Sequence, residues 1–167
     1  MKIVLDCSAA VEMARHTPKG DEYRSHLALR GDDEVIAPDL LYAEVGSAVA
    51  KYVRAGLATM QEAEGIVRDA VELADAVVPI EELYEEAFAE AVRLEHSVYD
   101  MFYFVLARRN AATLYSFDKR LNALCEREGI NCIHEFDASE LLVQRNGKEA
   151  PDVVDAGDDR SGMIASS

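Results

Sequence analysis

Nowhere in this 167-residue chain does an apolar run approach the roughly 18–20 residues that a membrane span requires. The first residues enter a short strand-like stretch with no apolar signal segment ahead of it, so a soluble, cytoplasmic protein is expected. Cysteine is scarce and odd in number. Cys7, Cys125 and Cys132 lack paired ligand spacing and read as small buried hydrophobes in a reducing compartment, although Cys7, beside Asp6, has a second reading as a reactive thiol. The four histidines are scattered, with no His-rich metal pair, which argues against zinc. Positive charge is short as well: 17 Lys and Arg face 32 Asp and Glu, a net charge of −15. Glu149, Asp152, Asp155, Asp158 and Asp159 against Arg160 account for −4 of this, leaving −11 for the body. This argues against a general nucleic-acid binder held by a broad basic surface. Any polyanionic substrate would have to enter along a local basic strip.

What the chain does have is apolar material for one core, with half of its residues hydrophobic at a length that suits one domain. Strand-like and helix-like segments alternate. Strands are expected at 2–6, 35–37, 77–78, 114–117 and 131–134, short and apolar like the buried strands of a parallel sheet. Ser8 is read as the N-cap of a helix that Pro18-Lys19-Gly20 breaks. Asp39 is read as the cap of a helix whose Leu41, Val45, Ala48, Val49, Tyr52 and Val53 follow helical spacing, with Gly56 as its stop. Thr59 and Glu62 form a capping box that opens a helix to about residue 75. Helices at 80–94, 98–109 and 119–128 follow, the second apolar nearly all round and therefore buried. This alternation predicts an α/β layered fold with a mostly parallel sheet of about five strands. The domain is expected over 1–145. Across 146–167 the composition turns to Gly, Pro, Asp and Ser without periodicity, which predicts an acidic, disordered tail.

Four acids stand out against their surroundings. Asp6 ends the run Ile3-Val4-Leu5, and Glu44 lies within Leu40-Leu41-Tyr42-Ala43-Glu44-Val45. Asp100 heads Tyr99-Asp100-Met101-Phe102-Tyr103-Phe104, and Asp118 follows Leu114-Tyr115-Ser116-Phe117. Each has a plain structural alternative. Asp6 suits a turn and Asp118 an N-cap, while Ser97 and Asp100 have capping-box spacing. Glu44 is the hardest to explain away, because it shares a helical face with Leu41 and Ala48. Carboxylates bordering buried surface need compensation. If the fold gathers all four, the natural compensator is a hard divalent cation, Mg²⁺ or Mn²⁺, and phosphate chemistry becomes the expectation.

At this point the chain resembles the PIN-domain ribonucleases, in particular the VapC-like toxins of toxin–antitoxin pairs. The resemblance is carried by Ile3-Val4-Leu5-Asp6-Cys7-Ser8, Pro38-Asp39-Leu40-Leu41-Tyr42-Ala43-Glu44-Val45, Tyr99-Asp100-Met101-Phe102-Tyr103-Phe104-Val105-Leu106-Ala107-Arg108, and Leu114-Tyr115-Ser116-Phe117-Asp118-Lys119-Arg120-Leu121. It spans residues 1 to about 135 in the family's order. It implies a Rossmann-like three-layer fold and a metal-dependent endoribonuclease that hydrolyses RNA phosphodiesters. Asp6 and Asp100 would be the principal ligands of Mg²⁺ or Mn²⁺. Glu44 and Asp118 would bind a second ion or orient metal-bound water, with Ser116 supporting that water. A cognate small antitoxin and a homodimer, held on the exposed edges of helices 59–75 and 80–94, are implied too.

Two features depart from that pattern, the acidic body and the acidic tail. Lys51, Arg54, Arg108, Lys119 and Arg120 are the basic residues available to track an RNA backbone; their plain alternative is solvated surface. The alternative function is a PIN-like binding or scaffold module with weak or no catalysis, which the acidic surface favours and the retention of all four acids disfavours. A phosphatase or receiver domain fits less well. Asp6-Cys7-Ser8 is not Asp-x-Asp, and Val77-Val78-Pro79 carries no phospho-acceptor acid.

Overall fold

Ile3, Val4 and Leu5 have no solvent exposure, as a strand covered on both faces requires. The computed structural model describes residues 1–133. They run β1 (Lys2–Leu5), α1 (Cys7–Ala14), α2 (Pro18–Leu29), β2 (Glu34–Pro38), α3 (Leu40–Arg54), α4 (Met60–Val71) and β3 (Ala76–Val78). A short 3₁₀ turn (Ile80–Glu82) then leads to α5 (Tyr84–Leu94), α6 (Val98–Asn110), β4 (Thr113–Tyr115), α7 (Lys119–Arg127) and β5 (Cys132–Ile133). The strands form one five-stranded sheet in the order β3-β2-β1-β4-β5. Every neighbouring pair is parallel, with Ile3 opposite Val35 on one side and Thr113 on the other. The fold class is therefore the α/β layered arrangement that the alternation predicts, in the three-layer form that the family resemblance implies.

Period-two alternation along the strands divides the core. Val4, Ile36 and Leu114 face a layer built by α5, α6 and α7, where Met101 to Ala107 of α6 are all buried. Ile3, Leu5, Val35, Ala37 and Tyr115 face the opposite layer, packed by α1 to α4. After β1 the chain winds outward through β2 and β3, then returns to place β4 on β1's other edge. The crevice between the carboxyl ends of β1 and β4 is thus the topological switch point, where open α/β sheets bind ligands.

Several local expectations need correction. Pro18-Lys19-Gly20 ends one helix and opens another: Thr17 caps α2 and Pro18 occupies its first turn, where a missing N–H is harmless. The cap of α1 is Asp6, not Ser8, and its side chain accepts from Ser8 N. Asp39 makes no side-chain bond to its own helix; Oδ1 accepts from Ile80 N at 3.0 Å and ties β2 to the turn after β3. The helix expected at 80–94 begins with the 3₁₀ turn and becomes α-helical only at Tyr84. The capping box at Thr59 and Glu62 and the left-handed Gly56 after α3 are as expected. Among the described residues no helix is long and apolar enough to cross a membrane. The expected boundary at residue 145, the tail over 146–167 and His134 of the last expected strand lie outside the described residues.

Candidate active site

Asp6 is where β1 turns into α1, and its backbone N donates to Tyr115 O at 3.0 Å, extending the β1–β4 ladder by one rung. Its Oδ2 accepts from Ser8 Oγ at 2.5 Å and from Ser116 Oγ at 2.7 Å. Ser116, buried just past β4, is held in turn. Its Oγ accepts from Asp118 N at 3.0 Å, and its carbonyl accepts from Asn122 Nδ2 at 2.8 Å. Ser8 Oγ accepts from Phe117 N at 2.9 Å. One carboxylate thus knits the two strand ends together. Burial raises the Asp6 carboxyl above the ordinary carboxylate range, against the lowering effect of the two serine bonds.

Glu44 reaches the same region from α3. Its Oε2 accepts from Tyr103 OH at 2.6 Å. Burial first, then the charges of Asp6 and Asp100, push this carboxyl up to about 7 despite the tyrosine bond. The Tyr103 hydroxyl is itself raised by burial and by the Asp6 and Glu44 charges, so it stays protonated and donates. Asp100 stands in the first turn of α6. Burial raises its pKa, Asp118 and Asp6 add to the rise, and His96 and Arg120 oppose it. Ser97 caps α6 through Tyr99 N, while Asp100 turns towards His96, its Oδ2 lying 3.1 Å from His96 Nδ1. Asp118 fills the plain role open to it: Oδ1 accepts from Arg120 N and Leu121 N at 2.8 and 3.1 Å, capping α7. Cys7 is held as an inert thiol, pushed up to about 12 by burial with Asp6 and Glu44 behind it.

Asp100 is within electrostatic reach of Asp6, Glu44 and Asp118, and Glu44 is within reach of Asp6 as well. Three of the four acids carry raised pKa values, in each case through burial first, with neighbouring carboxylates adding to the rise at Glu44 and Asp100. Oxygen donors in that state fit a hard divalent cation. Among the described residues no three acidic, histidine or cysteine side chains are drawn together into a coordination sphere. The donor chemistry fits; the carboxylates stand apart.

The basic candidates divide. Lys51 is close enough to pull against the rise at Cys7, and Arg120 does the same at Asp100. Lys119 lines an open groove of about 960 Å³ that begins at Cys7 and Ser8 and is walled by Tyr23, Tyr52 and Phe117. Arg54 lies elsewhere, along an apolar groove between α3 and α4. Arg108 is engaged by Glu86 and Glu90 at 2.5 and 3.1 Å near the far end of α6. Three residues at the site have roles that the sequence reading did not give them: Ser8 as a donor to Asp6, Tyr103 as the partner of Glu44, and His96 beside Asp100. Tyr103 had a usable signal, since it stands three residues after Asp100 on one helical face.

A parallel α/β sheet with carboxylates collected at its switch point defines the class. The chain belongs to the PIN domain family, whose model matches residues 3–127. It is 30% identical over 123 residues to ribonuclease VapC3 of Pyrobaculum aerophilum, an alignment covering 72% of this chain and 92% of that one. Among solved structures it is similar to PAE2754 from Pyrobaculum aerophilum, with a TM-score of 0.60 at 21% identity over 89% of this chain and 100% of the other. It is also similar to VapBC2 from Rickettsia felis bound to a DNA fragment from its promoter, with a TM-score of 0.54 at 15% identity over 80% and 98%. At those identities the two structures speak for the fold.

Proposed function

We propose that this chain is a metal-dependent endoribonuclease and the toxin of a toxin–antitoxin pair. The observation that carries the proposal is the charge coupling of Asp100 to Asp6, Glu44 and Asp118 at the switch point of a PIN fold. The name of the ribonuclease relative supports the reaction, and the VapBC2 structure supports a partner antitoxin.

Asp6 and Asp100 would hold Mg²⁺ or Mn²⁺, with Glu44 and Asp118 flanking them. A bound ion of this kind makes water a nucleophile near neutral pH and offsets charge developing on the phosphate. The protein's own part is orientation. Ser8 and Ser116 leave Asp6 no freedom to turn away, and the Tyr103 hydroxyl fixes one oxygen of Glu44. Lys51, Lys119 and Arg120 would meet the phosphates of an RNA strand, Lys119 from the wall of the groove; Arg108 is committed to its acidic partners. The acidic pocket suits a basic segment of an antitoxin. The stripe of Tyr84, Phe88 and Val92 along α5 suits a second copy of the chain.

The test is cleavage of a mixed RNA pool by the purified protein with Mn²⁺ or Mg²⁺, alongside EDTA and an Asp100→Asn variant. Discrete cuts that need both the metal and Asp100 are expected. Metal binding without any cleavage would turn the assignment to a PIN-like binding module, which the net charge of −15 favours.

A further inference from the structure

Helix α5 is capped at its carboxyl end by Glu95, whose φ of 52° lies in the left-handed region. A non-glycine residue adopts that conformation at a steric cost, so the surroundings must hold it there. The turn returns the chain into the protein. His96 N donates to Ala91 O at 3.1 Å, and the His96 side chain is only 9% exposed. Neither ring nitrogen makes an aligned hydrogen bond to any described residue. Nδ1 nevertheless stands 3.1 Å from Asp100 Oδ2, at bonding distance but off the line of the bond. A buried imidazole without a partner is costly, and an ionised carboxylate can only accept, so the Nδ1 that faces it carries the hydrogen.

The other three carboxylates are held by partners of their own: Asp6 by two serines, Glu44 by Tyr103, and Asp118 by the backbone it caps. Among the described residues Asp100 has His96 as its one side-chain contact at bonding distance, and Arg120 acts on it through charge alone. We infer that His96 is a positioning residue, one that sets the Asp100 carboxylate in the orientation in which it takes the divalent ion. The inference rests on the metal-dependent reading of the site. Groups that orient a metal's ligands typically change affinity by about 10- to 100-fold when removed.

The experiment measures Mn²⁺ binding to the full chain by electron paramagnetic resonance, with kcat and KM on RNA beside it. The proteins are wild type, His96→Asn, His96→Leu, His96→Gln and Asp100→Asn. Asparagine offers an amide hydrogen where Nδ1 stands, glutamine carries its amide past that point, and leucine fills the volume with no donor. His96→Leu and His96→Gln should each weaken Mn²⁺ by about 10-fold or more and lower kcat at fixed Mn²⁺. KM for RNA should hold, and His96→Asn should stay near wild type. If His96→Leu does not fold, the split between the asparagine and glutamine variants decides. Equal losses in both, or wild-type Mn²⁺ affinity in His96→Leu, overturn the inference and leave the site reading intact. A wild type that binds Mn²⁺ no better than Asp100→Asn overturns the site reading, and the positioning role with it.

Discussion

Glu44 is the residue at which burial and charge meet most openly. Its carboxyl titrates at about 7, against an ordinary 4.5, so between those values the folded protein holds a proton that the unfolded chain has released. Stability contributed through Glu44 must therefore fall as pH rises from about 4.5 through 7 and level off above. The full shift corresponds to about 3 kcal/mol, and partial contact with water reduces this to ~1–2 kcal/mol. In EDTA, the melting temperature of wild type should decline across that window more steeply than that of Glu44→Gln. Parallel profiles would show that Glu44 is not the source. Why the four acids were legible and their partners were not follows from what each residue looks like in a sequence. An acid inside an apolar run is conspicuous wherever it goes. Tyr103 passes for a core aromatic, and only the fold reveals that its hydroxyl meets a helix 59 residues away in the chain. Asp39 reads as an ordinary cap because its true partner, Ile80 N, lies 41 residues on.

Among the elements, α2 shows how periodicity can hide. Its inward residues are Gly20, Tyr23 and His26, spaced by three as a helix requires, yet none is a strong apolar marker. Gly20 is there for contact. A Cβ at this position would lie 2.1 Å from Glu12 O and 2.4 Å from Glu12 C, backbone atoms that cannot swing aside. Alanine at an open helical position would gain up to about 1 kcal/mol over glycine. Here the clash outweighs that gain, and forcing α1 and α2 apart should destabilise Gly20→Ala by ~1–3 kcal/mol. Urea unfolding checks it: the midpoint should drop with the slope unchanged. A midpoint at or above wild type would mean that the helices part freely. The strands were the easier elements to read, since short apolar runs ending in Pro or Asp have few other uses, and their expected bounds shift by only a residue or two at an end.

Over the whole molecule, charge and apolar surface are arranged on different parts of the described residues. The carboxylates border the switch point, while Tyr84, Phe88 and Val92 stand 53%, 64% and 65% exposed at four-residue intervals along α5. Exposed apolar side chains in such a row are the proposed face for a second copy of the chain. Light scattering on the eluting protein should give the mass of two chains, and Phe88→Glu should give the mass of one. A wild-type monomer would remove the stripe from consideration as a homodimer face.

The pairing of β1 with β4 also bears on when this protein can act. Ile3 finds its partner only at Thr113, and Asp6 finds its buried serine only at Ser116. A nascent chain that has emerged as far as α6 already carries Asp6, Glu44 and Asp100, but it lacks the strand edge and the hydroxyl that fix the first of them. Translation order alone thus delays assembly of the acidic pocket until the domain is nearly complete, and a ribosome stalled midway through the message leaves behind a fragment without a finished site.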